Sequence, residues 1–216
     1  MKKKTTPSNL KSEILSCAEH LFKKHGYDKT TFQMIADDLG ITKGAITYHF
    51  KFKWGLFDEL FSNYLVDLHT FVGTNLRENY NCYLHYCVVY ICFFRDAMKN
   101  QQNWNFFYKN EIRTFLEREK INLFNTMFER ISTAFHKDFS IEEITVASIM
   151  ASGAVVRLLA EYDQNPNFMP KDRYFHHIIK TIGMYAGLDT TTIEKNIARA
   201  FAFVDTSTPP TFCLFQ

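Results

Sequence analysis

The stretch TTFQMIADDLGITKGAITYHFKFK, residues 30–53, constrains the fold of this chain more than any other. It holds two short runs of helical periodicity split by one glycine, Gly40. Thr30 and Gln33 have the spacing of a capping box that opens the first run, which reaches Leu39. Gly40 then sits where a tight turn needs left-handed backbone. Thr42 caps the second run, which continues to about His49. Two short helices joined by such a turn form a helix-turn-helix. Ala36 is small where the helices must approach, and Ile46 locks the second helix against Ile35, Leu39 and Ile41.

If Ile46 points inward, then Thr42, Lys43, Ala45, Thr47, Tyr48 and His49 point outward. A recognition helix lays its N-terminal residues against base edges in the major groove. Hydroxyls, small side chains and one lysine suit those edges. Lys53 and the amides at helix starts suit phosphate. No carboxylate follows Asp38 in the stretch, as a surface facing phosphates requires.

The charge of the whole chain agrees. Residues 1–53 carry ten lysines against five acids, a net of +5. Residues 54–216 hold the other 15 basic and 18 acidic residues, a net of −3. A basic head on a slightly acidic body points to a polyanion partner for the head. The Lys2-Lys3-Lys4 arm reads as a solvated terminus, or as a segment tracking phosphate or the minor groove.

Helical periodicity continues through the rest of the chain, so an all-α fold is expected. A first helix carries Leu10, Ile14, Cys17, Ala18, Leu21 and Phe22, with Ser8 or Asn9 as cap and Gly26 at its end. A longer helix follows Lys51. Others are expected at about 81–99, 103–118, 120–137, 141–163, 172–186 and 191–204, then an extended tail around TSTPPT. The charge change divides the chain into a head, 1–53, and a body, 54–216.

The longest apolar run, YLHYCVVYICFF at 83–94, is short of the ~20 residues that cross a bilayer. With no secretory signal either, no membrane partner is expected. Five cysteines, an odd number and mostly inside apolar helical patterns, point to reduced thiols and a cytoplasmic location. Cys82, Cys87 and Cys92 are spaced unlike zinc ligands, and no metal or other cofactor is expected. His85, His176-His177 and Glu142-Glu143 make no nucleophile–base pattern, so no catalysis is expected.

The body holds 29 of the 35 aromatic residues. Trp104, Tyr108, Glu111 and Phe115 recur at i, i+4, i+7 and i+11, which puts Glu111 on an aromatic face. Leu84, Val88, Ile91 and Arg95 share another face in the same way. A charge on an apolar stripe must be paired or solvated. Two readings stay open: an internal Glu111–Arg95 pair, or an effector pocket with Trp104, Phe107, Tyr108 and Phe115 as walls and Arg95 and Glu111 as anchors. Ala147, Ala151, Ala154, Val155 and Leu158 line one side of 141–163, which suits a helix–helix seam within the chain or between two copies.

The chain also resembles the TetR family of bacterial transcription regulators. The resemblance rests on AEHLFKKHGYDKTTFQMIADDLG followed by ITKGAITYHFKFKWGLFDEL, over about residues 10–60. It implies a three-helix DNA-binding head and a helical-bundle body that dimerises, binds a small-molecule effector and so releases operator DNA. By position it implies that Lys43, Gly44, Thr47 and Tyr48 meet bases or adjacent backbone. Thr31, Tyr48, His49 and Lys53 would meet phosphates. Two positions depart from the usual pattern. Phe32 stands where many members have a polar residue, and no arginine occurs before Arg77. The commonest specific contact, arginine to guanine, is therefore absent from the head, and Lys43 is the one long cation that could replace it. A DNA-binding regulator controlled by a protein partner, with no small effector, is the alternative.

Overall fold

The computed structural model describes residues 7–77, 80–115 and 118–212, with side chains described over 9–77, 80–108 and 124–212. The described residues form ten helices and no strand. They are α1 (Pro7–His25), α2 (Phe32–Leu39), α3 (Lys43–His49), α4 (Lys53–Asn75) and α5 (Cys82–Ala97). Then come α6 (Gln101–Phe115), α7 (Arg118–Ala134), α8 (Ile141–Gln164), α9 (Lys171–Tyr185) and α10 (Thr190–Thr206). The Lys2–Lys4 arm, Cys213 and the side chains of Glu111 and Phe115 lie outside the described residues.

Packing divides the chain into two compact units. One comprises residues 1–68 and 210–216, the other 69–209. The division falls inside α4, well past the charge change at residue 53, because α4 adds aromatic residues to the first unit's core before it enters the second.

In the first unit, α1, α2 and α3 pack on one another. Ile14, Ala18, Phe22, Ile35, Ala36, Ile46, Leu56 and Phe57 are buried. Gly40 adopts φ 63° and ψ 34°, and its amide reaches back to the carbonyls of Ala36 and Asp37. That conformation is cheap only for glycine, and it turns the chain sharply enough to begin α3 three residues later. The cap of α2 differs from expectation. Thr31, not Thr30, is the N-cap, accepting from the Met34 amide at 3.2 Å. Thr30 is fully buried, and its hydroxyl donates to the carbonyls of Leu21 and Gly26 at 3.1 and 2.9 Å. A threonine that joins two helices across a turn has the same sequence signature as one that caps, which is why the two were exchanged. Gln33 meanwhile bonds Asp37 at 2.7 Å instead of closing a capping box.

In the second unit α5 is the central element, buried on most of its circumference and packed by α6, α7, α9 and α10. Tyr83 on α5 is fully buried and donates to the Ile179 carbonyl on α9 at 2.9 Å. Gly183 makes that approach possible, since a Cβ there would stand 2.6 Å from the Tyr83 hydroxyl. α8 packs on α6, α7 and α9 and opens with a complete capping box between Ser140 and Glu143. Its Ala147, Ala151 and Val155 face inward and are buried within the unit. Ala154 and Leu158 of the same stripe are half-buried. The opposite face exposes Val146, Ile149 and Met150, each about half accessible. α8 is long and apolar enough to cross a membrane by length and composition, with 28% of its apolar window buried here.

Candidate nucleic-acid interface

The outward face of α3 is built from below. Ile46 is fully buried, which fixes the rotation of the helix about its axis. Thr42, Lys43, Gly44, Thr47 and Tyr48 are thereby exposed, Tyr48 to 83%. These are the residues expected to face bases, and the structure brings them onto one surface. Thr42 caps α3 by accepting from the Ala45 amide at 3.2 Å, and Thr31 does the same for α2. Each hydroxyl oxygen is used as acceptor, which leaves its proton for an outside acceptor such as phosphate. Thr47 is exposed, and its hydroxyl donates to the Gly44 carbonyl at 3.1 Å. His49 is half-buried, edge-on to Tyr48 with ring centroids 5.1 Å apart.

Lys53 is placed differently from expectation. Its Nζ donates to the carbonyls of Tyr27, Asp28 and Thr30 at 2.8, 3.1 and 3.1 Å. It also lies 4.4 Å from the centre of the Tyr27 ring. An ammonium has three N–H donors, so none remains for a phosphate in this arrangement. Burial lowers its pKa from the usual lysine value, against the raising effect of Asp28. Lys53 thus ties down the loop between α1 and α2, directly ahead of the Thr31 cap. Three carbonyls converging on one lysine leave no trace in local sequence, because the partners lie 23–26 residues away.

Phe52 was not anticipated. It is 75% exposed between Lys51 and Lys53, next to the face of α3, while Phe50 two residues earlier is buried. An exposed aromatic flanked by lysines was the signal available for it. The two acids that precede α3 are engaged elsewhere: Asp37 holds Gln33, and Asp38 accepts from the Cys17 thiol at 3.2 Å. Burial and Asp38 push that thiol up to about 12, so it stays protonated.

In the second unit, four of the six expected effector residues, Arg95, Trp104, Phe107 and Tyr108, have described side chains. Trp104 is buried, and its indole N–H donates to Asp163 at 2.8 Å. Its ring stacks on Tyr108 and meets Tyr162 edge-on. Phe107 is buried edge-on against Phe93. Arg95 binds Asp205 at 2.7 Å and lies 3.6 Å from Asp172. Those partners lie 77 and 110 residues along the chain, out of reach of any periodicity argument. A cleft of about 500 Å³ in this unit is lined instead by Phe139, Val146, Met150 and Tyr185, among others.

A polar cluster in this unit was also missed. His69 Nδ1 and His85 Nε2 are 2.7 Å apart, and the Tyr80 hydroxyl is 3.0 Å from His85 Nδ1. Tyr86 meets both imidazoles edge-on. Burial, then His69 and Arg130, hold His85 down at about 4, and burial and Arg130 lower His69. Both rings are therefore neutral in the fold near neutral pH. The unfolded chain takes up their protons near the ordinary value of 6.5, so the folded state is the poorer proton binder below it. Stability contributed by this pair is present above pH 6.5 and is lost as pH falls toward 4. Replacing His85 with asparagine should flatten the fall in melting temperature across that window, measured by circular dichroism at a series of pH values. An unchanged pH slope would mean that the pair is not the titrating element.

The comparisons with known proteins agree with the head. A family model described as "Bacterial regulatory proteins, tetR family" matches residues 14–60. The "Probable acrEF/envCD operon repressor" of Escherichia coli (strain K12) is 42% identical over 62 residues, 28% of either chain. The "HTH-type transcriptional regulator QacR" of Staphylococcus aureus (strain Mu50 / ATCC 700699) is 46% identical over 52 residues, 24% of this chain and 28% of that one. The chain thus spans under a third of the length of these curated relatives. Over nearly the whole chain, 94% of this one and 97% of the other, the fold is similar to that of SmeT, "the repressor of the Stenotrophomonas maltophilia multidrug efflux pump SmeDEF". That match has a TM-score of 0.50 and 18% identity, and it speaks for the all-helical fold alone. Over residues 14–60, which hold the helix-turn-helix, the chain is similar to the TetR family of bacterial regulatory proteins.

Proposed function

We propose that this chain is a sequence-specific DNA-binding transcriptional regulator, a homodimeric repressor of the cytoplasm that releases its operator when a small molecule binds the body. The observation that carries the DNA reading is the face of α3: Thr42, Lys43, Gly44, Thr47 and Tyr48 together, exposed on a helix anchored by buried Ile46. With no arginine in the head, Lys43 reads a base, and hydroxyl, methyl and aromatic contacts from Thr47, Tyr48 and Phe52 supply the remainder with DNA shape. Lys43→Ala should relax preference at one base pair per half-site by about 1–3 kcal/mol. The test is fluorescence anisotropy on an operator selected from a random pool and on its single-base variants. Equal discrimination by parent and variant would remove Lys43 from the readout.

Dimerisation is assigned to the exposed face of α8, with Met184 of α9, which is 60% accessible. An apolar stripe on an otherwise packed helix has a reason to exist where a second copy covers it. Control by a small molecule follows the family resemblance. The packing of Trp104 and Phe107 and the pairing of Arg95 speak for the other reading, control by a protein partner, in that region. A thermal-shift screen of small molecules, followed by operator release for each hit, separates the two.

A further inference from the structure

Phe212 is buried in the first unit. Its ring centroid lies 5.1 Å from that of Tyr64, 5.6 Å from Phe61 and 5.9 Å from Phe57. Those three residues stand at i, i+4 and i+7 on α4, so one face of the helix forms an aromatic cradle for a residue nearly 150 positions later. Only three residues separate Thr206, the end of α10, from Pro210, where the chain rejoins the first unit. Pro209 and Pro210 stiffen that crossing. At the last turn of α10, Arg95 grips Asp205. The short tail is thus fixed at both ends.

From the cradle, ring contacts continue through the head. Phe57 lies 4.7 Å from Trp54, and Trp54 lies 6.5 Å from Tyr27. Lys53 sits over Tyr27 and binds the loop that precedes the Thr31 cap of α2. A cleft of about 280 Å³ flanks the tail, lined by Ser12, Leu15, Asn63 and Thr211 among others, so one side of the docked segment is open to water. A segment that completes an aromatic core yet has an open flank can be withdrawn without first dismantling the helices around it.

We propose that residues 210–212 are a plug of the DNA-binding head, with Phe212 completing its core and operator affinity set by whether the plug is seated. The proposal rests on the reading of the head as a DNA binder. It gives the body a second covalent line to the head, besides α4, along which a shift at the end of α10 is felt as a pull on the plug.

The test compares the parent chain with Phe212→Ala and Phe212→Leu. Hydrogen exchange, which needs no DNA, reports the plug, and binding to the operator selected by the parent reports its consequence. Phe212→Ala should raise exchange in α1 and in α4 over 54–64, leave α8 and α9 at parental protection, and weaken operator binding roughly tenfold. Phe212→Leu should recover most of both. A free peptide of residues 207–216 should partly restore operator binding to Phe212→Ala. Unchanged exchange in the head, or exchange raised equally in head and body, would overturn the plug. A parent that selects no operator, with the exchange pattern as expected, would overturn the DNA reading and leave the plug standing as a structural element only.

Discussion

Ile149→Glu is expected to yield a monomer that keeps its helical content and loses operator binding by more than about a hundredfold. Ile149 is half exposed in the single chain, between Val146 and Met150 on α8 and one turn before Gly153. A glutamate there meets only water in the monomer, so the fold is unharmed. In a two-fold dimer the same position occurs twice across one seam, and each carboxylate would be desolvated facing apolar neighbours. Burying unpaired charge costs several kcal/mol per group, more than one standard seam can absorb. A monomer engages one half-site and forfeits the gain from simultaneous engagement of two. Ala151→Glu, the substitution suggested by the small-residue stripe, would instead break the core, since Ala151 is fully buried between packed helices. Sedimentation velocity distinguishes the results. An Ile149→Glu protein that remains a dimer would move the seam off this face.

Lys53→Met should lower the stability of the head by about 2–3 kcal/mol and weaken operator binding without altering its salt dependence. Methionine keeps much of the stem and removes the charge, so the three carbonyls of the 27–30 loop lose their shared donor. Hydrogen bonds from a charged donor are worth about 1.5–3 kcal/mol each, but water can reach part of this loop and replace some of that loss. If Lys53 instead contacts phosphate, removing two cations per dimer flattens the slope of log K against log salt by about 1.8 units. A flattened slope with an unchanged melting temperature would show that Lys53 turns outward to meet DNA.

The head was legible because its signals are local. Gly40 with left-handed backbone, Thr42 as cap and Ile46 as inward anchor each depend on neighbours within a few residues, and each is found as expected. Helix positions in the body were legible for the same reason, most ends falling within one to three residues of the periodic pattern. What escaped depends on partners far along the chain. Arg95 finds Asp205, Lys53 finds the 27–30 loop, and Phe212 finds α4. Periodicity also cannot say which of two faces of an apolar helix meets its own chain. On α8, Ala147 and Ala151 turned inward, and the larger Ile149 and Met150 were left outside.

The most direct test of the account is selection of binding sequences from a random duplex pool by the parent chain, repeated with Lys43→Ala. The account predicts one enriched inverted repeat with two half-sites for the parent, and loss of preference at one position in each half-site for the variant. Recovery of no enriched sequence by a folded, dimeric parent protein would contradict it.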